Sequence, residues 1–235
     1  AYAHYQANSP QTAAVEYDFL GHIARNLFSA PRNGTALICG EMCWSWTQLG
    51  ERVASVANGL LLRGLTPGSV VAIYLPRCPE HVVISIACAL LGLIRVPVDI
   101  NSPARRTQYL LDNCRPDLII CREAANVPDA VTPQSLETEN PIPPAFTGKS
   151  DDQSPAYYLY TSGTTGKPKC VALHNRATAN VLGQTLASWA VSDSDVFLSV
   201  TPLHHDMSVF DLFAPLCVGA TLVLPTERQE KDAIS

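Results

Sequence analysis

The sequence predicts an α/β fold with parallel-rich sheets that are covered by helices. Short runs of β-branched residues alternate with longer segments of helical periodicity, which is typical of parallel sheets. Only 16% of the 235 residues are charged and 47% are hydrophobic, so there are enough apolar side chains for extensively buried helices. The longest apolar stretch with almost no charge, residues 82–94, is shorter than a membrane span of about 20 residues, which favours a buried helix.

The first half of the chain begins its regular pattern with a helix predicted at residues 46–62. Apolar residues recur there at intervals of three and four, as on one face of a helix, and Gly64 follows as a stop signal. The repeat consists of Leu49, Val53, Val56 and Leu60. The alternation then predicts, in order, a strand at 70–75, a helix at 79–93, a strand at 95–100, a helix at 104–113 and a strand at 117–121.

A proline-rich stretch interrupts this alternation. Six of the 18 prolines lie in residues 128–155, where periodicity is weak, so we expect a surface connection or a seam. The predicted segments are a tail at 1–15, a first α/β subdomain at 16–127, the connection at 128–155 and a second α/β segment at 156–235. In the second segment we expect strands at 157–161 and 170–174, a helix at 175–189, a strand at 196–200, a helix at 207–218 and a strand at 221–224.

Charge and cysteine content exclude several classes of protein. The 21 acidic residues outnumber the 16 basic ones, so there is no basic surplus of the kind that nucleic-acid binding requires. The eight cysteines are scattered without a CxxC pair, which predicts reduced, buried thiols and no metal site held by the protein. Residues 1–11 are polar and do not form a secretory signal. These features predict a cytoplasmic protein that binds neither nucleic acid nor membrane.

The most informative motif is the glycine-rich run YTSGTTGKPK at residues 160–169. Its glycines let the backbone approach an anion, while its hydroxyls and lysines provide donors and positive charge for phosphate oxygens. It is not a Walker A loop, because only two residues separate Gly163 from Gly166 and because Pro168 follows Lys167. The alternative is an ordinary hairpin turn, since the same residue types form turns.

This run resembles the phosphate-binding signature of the adenylate-forming superfamily, which includes acyl-CoA synthetases, luciferase-like ligases and adenylation domains of nonribosomal peptide synthetases. Residues 46–75 and 89–102 resemble earlier segments of that family in the same order, and the resemblance extends from about Ile23 to Pro225. It implies a chain that forms the first part of the family's large N-terminal subdomain and is truncated within it.

In that family ATP and a carboxylate form an acyl-adenylate and pyrophosphate, with Mg²⁺ accompanying the nucleotide. The resemblance implies that the glycine-rich run holds the β- and γ-phosphates of ATP. The residues concerned are Thr161, Ser162, Gly163, Thr164, Thr165 and Gly166, with Lys167 and Lys169 nearby. Cys170 departs from the pattern, since the family usually has glycine there.

A second motif, PLHHDMSVFD at residues 202–211, resembles the "FDxSVxxxF" motif of peptide-synthetase adenylation domains. The resemblance implies that Asp206 pairs with the amino group of an amino-acid substrate and that Met207 and Phe210 line its side-chain pocket. The alternative for Met207 and Phe210 is a place in the core, which is our prediction for Cys217 on the same helical stripe.

His205 and Asp211 complete the interpretation of this motif. The family places the aromatic residue at position 205 beside the phosphates, which makes His205 the candidate catalytic residue. Histidine there is typical of acyl-CoA ligases, whereas amino-acid-activating domains usually have phenylalanine. For Asp211 we expect a solvated position on the helix.

The resemblance therefore implies activation of an amino acid with ATP for transfer to the phosphopantetheine thiol of a carrier protein. An acyl- or aryl-CoA ligase is the alternative, favoured by His205. A third hypothesis is a binding or scaffold fragment that is inactive by itself. The family's adenine, ribose and catalytic-lysine elements have no counterpart after residue 225, so the C-terminal half of the enzyme is an expected partner.

Overall fold

The computed structural model describes residues 17–29, 34–123, 127–144, 155–161, 168–226 and 228–229. The predicted tail at 1–15 and the central part of the glycine-rich run, residues 162–167, lie outside the described residues.

One sheet has four strands in the spatial order β2-β1-β10-β9. Its strands are β1 (Thr35–Cys39), β2 (Met42–Ser45), β9 (Val196–Leu198) and β10 (Thr221–Leu224). The β1–β2 pair is antiparallel, whereas β10 lies parallel to both β1 and β9. The hairpin of β1 and β2 was not predicted, and the strand predicted at 196–200 ends two residues earlier, at Leu198.

The other sheet has six strands in the order β6-β5-β3-β4-β7-β8. Its strands are β3 (Val70–Tyr74), β4 (Ile94–Pro97), β5 (Leu118–Cys121), β6 (Ala130–Val131), β7 (Pro155–Thr161) and β8 (Lys169–His174). All pairs are parallel except β7–β8. The prediction of an α/β fold with parallel-rich sheets covered by helices is therefore confirmed.

The helices agree with the sequence pattern more closely at their starts than at their ends. They are α1 (Phe19–Phe28), α2 (Trp46–Leu62), α3 (Pro79–Leu90), α4 (Ala104–Cys114), α5 (Asn175–Ser188) and α6 (Ser208–Val218). Ser45 caps α2 through a reciprocal pair of hydrogen bonds with Gln48, which fixes its first turn. Helix α3 ends before the predicted residue 93 because Gly92 adopts a left-handed conformation with φ of +68°. Helix α1 was not predicted.

The stretch at residues 128–155 is more than the surface connection that its prolines predicted. Strand β6 pairs with β5, and a 3₁₀ helix, Pro133–Leu136, packs on α2 with the Leu136 side chain fully buried. The backbones can approach closely because Gly59 has no side chain. A Cβ atom at this position would overlap the Leu136 carbonyl oxygen. The Thr138 amide donates to the Ser55 hydroxyl at 2.8 Å and adds to this attachment.

Both sheets contain strands from both sides of residues 128–155. Strand β1 pairs with β10 near the other end of the chain, and β4 pairs with β7 through Arg95 and Tyr157. The predicted division into segments at 16–127 and 156–235 therefore does not coincide with a division between sheets. As a description of separate domains, it stays a prediction.

The core contains side chains of both sheets and encloses α3. Every residue of α3 except Glu80 is buried, as expected for a helix that is apolar on all sides. In the described part of the chain, no helix is both long and apolar enough to cross a membrane.

The cysteines are all free thiols, and four are buried. The prediction of burial is wrong for Cys43 and Cys170, which are exposed because each lies on an edge strand, β2 or β8. Cys39 and Cys114 are half-buried.

Candidate functional site

The glycine-rich run connects the two strands of the antiparallel β7–β8 hairpin. Thr161 lies opposite Lys169 in the register, and both residues are exposed. Residues 162–168 between these paired ends form a longer connection than the two to five residues of most hairpins. The run therefore lies between the two strands of a hairpin, while the alternative of an ordinary turn concerns residues 162–167, which lie outside the described residues.

Two tyrosines fix the hairpin against α4. The Tyr160 hydroxyl donates to the Asn113 side-chain oxygen at 2.8 Å, and the Tyr109 hydroxyl donates to the Pro168 carbonyl oxygen at 3.4 Å. Burial raises the pKa of Tyr160 well above its usual range, and the neighbouring thiols of Cys114 and Cys170 act in the same direction. Tyr160 is therefore a neutral hydrogen-bond donor at physiological pH, and the contacts position both ends of the run.

The second motif forms a compact turn that leads into α6. The His205 amide donates to the Pro202 carbonyl oxygen at 2.9 Å. The hydroxyl of the buried Ser208 donates to the carbonyl oxygens of Leu203 and His205. One side-chain hydroxyl therefore holds the backbone on both sides of His204.

Asp211 fixes the start of this turn. Its half-buried carboxylate accepts a hydrogen bond from the Thr201 amide at 3.0 Å. The prediction of a solvated Asp211 is therefore wrong, because the chain before α6 folds back and brings the Thr201 amide to this carboxylate. The sequence signal that could have indicated this is a carboxylate in the first turn of α6, where the unpaired amides of a helix start favour negative charge.

The predicted substrate-binding residues lie at the exposed end of α6. His205 and Asp206 are exposed, and an Asp206 carboxylate oxygen accepts from the Met207 amide at 2.8 Å. The Met207 side chain is 57% exposed. These three residues therefore present their side chains to solvent on one short segment.

Phe210 is half-buried, and it packs against the core as well as against other aromatic rings. Its ring centroid lies 5.7 Å from that of Trp189 and 6.2 Å from that of Phe197. Cys217, further along the same stripe, is buried as predicted. The role of Met207 and Phe210 in a substrate pocket stays a prediction.

The fold brings the two motifs onto neighbouring elements. Val209, in the first turn of α6, packs on the buried residues Tyr157 and Leu159 of β7. Strand β7 leads into the glycine-rich run, and α6 follows directly after residues 202–207. The motifs are therefore joined through apolar packing between the elements that carry them.

A cleft of about 350 Å³ lies at the carboxyl ends of β3 and β4. Its polar lining includes Arg77, Asp99, Asn101 and His204. The His204 Nε2 atom is 4.0 Å from the Asp99 Oδ2 atom. Burial lowers the pKa of His204 below its usual value, while Asp99 acts in the opposite direction.

Sequence reasoning missed this cleft because its residues come from three separate loops that share no motif. The general signal was available, since ligands of open α/β sheets commonly bind beyond the carboxyl ends of parallel strands. In the part of the chain that the structure describes, no group of three or more His, Cys, Asp or Glu residues is placed to hold a metal ion.

Comparison with known proteins identifies the class to which this fold and site belong. Residues 25–235 match the family described as AMP-binding enzyme, and the chain belongs to this family. It is 36% identical over 195 residues to pyochelin synthetase PchE of Pseudomonas aeruginosa, and 31% identical over 200 residues to a dimodular nonribosomal peptide synthase of Bacillus subtilis. The resemblance to adenylate-forming enzymes, and to peptide-synthetase adenylation domains in particular, is therefore confirmed.

The chain spans only part of these relatives. The matches cover 79% and 80% of this chain but only 13% of PchE and 8% of the Bacillus protein. Among solved structures, the N-terminal subdomain of Klebsiella oxytoca NpsA matches with a TM-score of 0.76 and 26% identity. That match covers 89% of this chain and 54% of the NpsA subdomain, so the chain spans about half of that structure.

Replacement of Asp211 by alanine tests how the second motif is held. The Thr201 amide loses its acceptor, so we expect its hydrogen exchange to accelerate by about fivefold, which corresponds to roughly 1 kcal/mol for one hydrogen bond. Exchange would be followed by NMR or by mass spectrometry of peptides that cover residues 199–207.

Two variants serve as controls for this measurement. Asp211→Asn retains an oxygen acceptor and is expected to keep slow exchange at Thr201. Asp195→Ala removes the equivalent acceptor of the Ser192 amide and should affect that turn only. Unchanged exchange at Thr201 in Asp211→Ala would show that the carboxylate does not hold the motif.

Proposed function

We propose that this chain is part of an adenylation domain that activates an amino acid with ATP. The observation that carries the proposal is the exposed Asp206 carboxylate in the turn before α6, a helix that packs through Val209 on the strand leading into the glycine-rich run. No cationic side chain of the described residues forms an ion pair with Asp206. Met207 donates to one of its oxygens, which leaves acceptor capacity for a substrate ammonium group.

The α-ammonium group of an amino-acid substrate would explain why a carboxylate occupies this position. A closed substrate site excludes water, and a charged amine there needs an opposite charge, because an unpaired buried charge is costly. The neighbouring Met207 and the aromatic Phe210 are proposed to contact the apolar part of the substrate. Met207 is exposed, which leaves its side chain available for a substrate, whereas Phe210 is half-buried and packs against the core, so only part of its ring is available.

In the proposed reaction, a carboxylate oxygen of the amino acid bonds to the α-phosphorus of ATP. The bond from that phosphorus to the bridging oxygen breaks, and pyrophosphate leaves with the electron pair. The protein contributes positioning and charge stabilisation, as in other phosphoryl-group chemistry. Thr161 and Lys169, together with residues 162–167, are proposed to bind the β- and γ-phosphates, and Mg²⁺ would be carried by the nucleotide.

His205 is proposed to lie beside these phosphates. It is exposed, and its ring packs edge-on against that of His204 at a centroid distance of 4.7 Å. The turn that Ser208 holds orients the backbone of His205. The same histidine supports the alternative of an acyl- or aryl-CoA ligase.

An aryl acid is the most specific alternative substrate. A solved structure of the NpsA N-terminal subdomain in complex with 3-hydroxybenzoyl-AMSN matches this chain with 27% identity and a TM-score of 0.75. Whether amino acids or aryl acids support the reaction therefore distinguishes the two substrate classes.

The proposed partner of the loaded enzyme is a carrier protein. Its phosphopantetheine thiol sulfur would bond to the acyl carbon, AMP would leave, and the thiol proton would be released. An artificially fused adenylation–PCP di-domain of NpsA is among the similar solved structures, with 26% identity. The cytoplasmic location stays a prediction from the cysteine content.

Exposed apolar side chains on the edge strand of the four-stranded sheet indicate that another part of the domain covers them. Val196, Leu198 and Val200 alternate along β9 and its extension and are each more than half exposed. Parallel sheets are normally covered on both faces. We propose that the remainder of the adenylation domain covers this apolar row and completes the nucleotide site.

Replacement of Asp206 by alanine tests the proposed function in a protein that includes the remainder of the adenylation domain. Amino-acid-dependent exchange of labelled pyrophosphate into ATP should fall at least about 100-fold, since removing one partner of a buried charge pair costs about 3–5 kcal/mol. Asp112→Ala, at an exposed position on α4, is the matched control and should retain wild-type exchange. Near-normal exchange in Asp206→Ala, or exchange that only aryl or fatty acids support, would contradict the proposal.

The isolated chain of 235 residues provides a second test. It is expected to form no aminoacyl-adenylate, because the family's adenine, ribose and lysine elements are absent from it. Adenylate would be trapped with hydroxylamine and compared with the longer protein under the same conditions. Formation of adenylate by the isolated chain at the rate of the longer protein would overturn this expectation.

A further inference from the structure

Arg95 is a buried cation that forms no ion pair with a carboxylate of the described residues. It lies on β4, and only 6% of the residue is exposed. Its guanidinium carbon lies 4.7 Å from the ring centroid of Phe213 and 5.2 Å from that of Tyr157. Within the described residues it forms no ion pair, and its buried Nε atom has no hydrogen-bond partner.

Stacking on two aromatic rings stabilises this guanidinium only in part. A cation–π contact contributes about 2 kcal/mol when it is desolvated, whereas a buried charge without an opposite charge costs several kcal/mol. Burial lowers the pKa of Arg95, but an arginine side chain keeps its proton in proteins and so does not relieve this cost by becoming neutral. The Arg95 guanidinium therefore requires a negative charge nearby.

A small internal cavity adjoins Arg95. Its volume is about 20 Å³, enough for one particle of the size of a water molecule. Its polar lining comprises His81, Ser85, Arg95, Tyr157 and Ser208. Burial lowers the pKa of His81 to about 4, and Arg95 acts in the same direction, so the His81 ring is neutral at physiological pH. Arg95 is thus the one formal charge among the lining residues.

The cavity lies next to a route from solvent. His81, Pro97 and Leu203 line both this cavity and the cleft at the carboxyl ends of β3 and β4. The cavity beside Arg95 and the cleft are therefore neighbours, separated by these shared residues.

We propose that the cavity binds a single monatomic anion, chloride in solution, as the counter-charge of Arg95. A water molecule fits the volume but leaves the charge uncompensated. Chloride is smaller than phosphate or sulfate and carries the single negative charge that balances Arg95. The bound anion would connect β4, β7 and the first turn of α6, since Arg95, Tyr157 and Ser208 all line the cavity. This site is independent of the proposed adenylation activity.

Thermal unfolding in chloride and in gluconate at equal ionic strength tests the proposal. Chloride is expected to raise the Tm of the wild-type protein by about 2–4 °C, because a ligand that binds only the folded state stabilises it. In Arg95→Met this difference between the two anions should disappear. Arg52→Met is the matched control, since Arg52 also stacks on an aromatic ring, Trp44, at 4.3 Å but is exposed. It should retain the wild-type difference.

Crystals of the wild-type protein grown in bromide give a measurement that does not depend on a variant that folds. An anomalous bromine peak in the cavity beside Arg95 is expected. Absence of that peak, or equal Tm values of the wild-type protein in chloride and gluconate, would show that the cavity holds water only and would overturn the proposal. Neither result depends on activity, so the proposal can fail while the proposed function holds.

Discussion

The burial of α3 is the constraint on which the rest of the structure depends. A helix that is apolar on all sides has to be enclosed, and in this chain the core that encloses it contains residues of both sheets. The chain meets this requirement by pairing strands that are distant in sequence, β1 with β10 and β4 with β7. These parallel pairs bring the second half of the chain onto the first and so bring both motifs into one fold.

The candidate site is a consequence of this arrangement. Strand β7 is held in the six-stranded sheet by β4, and it positions the ends of the glycine-rich run. Helix α6 packs on β7 through Val209, and the turn that precedes the helix presents Asp206. Ser208 and Asp211 then hold the turn that precedes the helix through hydrogen bonds to backbone groups. A small number of polar contacts therefore positions the exposed side chains, while apolar packing sets the distance between the elements.

The sequence predicted the elements with strong periodicity and missed those without it. Helix α2 matches its predicted range because the apolar repeat and the Ser45 cap indicate the same element. Strands β1 and β2 are short and are joined through Gly40, so they carry little periodic signal. The prolines of residues 128–155 predict a surface connection or a seam, and within this stretch Pro133 begins a 3₁₀ helix and Leu136 enters the core. Local composition does not show whether a short segment faces the core or the solvent.

Prediction of the site was limited in the same way. The residue types in the glycine-rich run predicted phosphate binding because glycines, hydroxyls and lysines each have a specific use toward an anion, whereas amine binding by Asp206 was implied by the family resemblance. The hydrogen bond from Thr201 to Asp211, the cleft beside Asp99 and the buried Arg95 depend on contacts between separate elements, which spacing along the chain does not reveal. The exposure of Cys170 likewise follows from the edge position of β8, which only the sheet order shows.

The central claim is that the β7–β8 hairpin and the turn before α6 form one ATP-dependent site. Hydrogen exchange of the protein with the remainder of its adenylation domain, measured with and without a nonhydrolysable ATP analogue, tests it most directly. The account predicts slower exchange with the analogue in peptides that cover residues 158–170 and 201–211, and no change in residues 133–144, which pack on α2. Unchanged exchange in residues 158–170 at saturating analogue would contradict it.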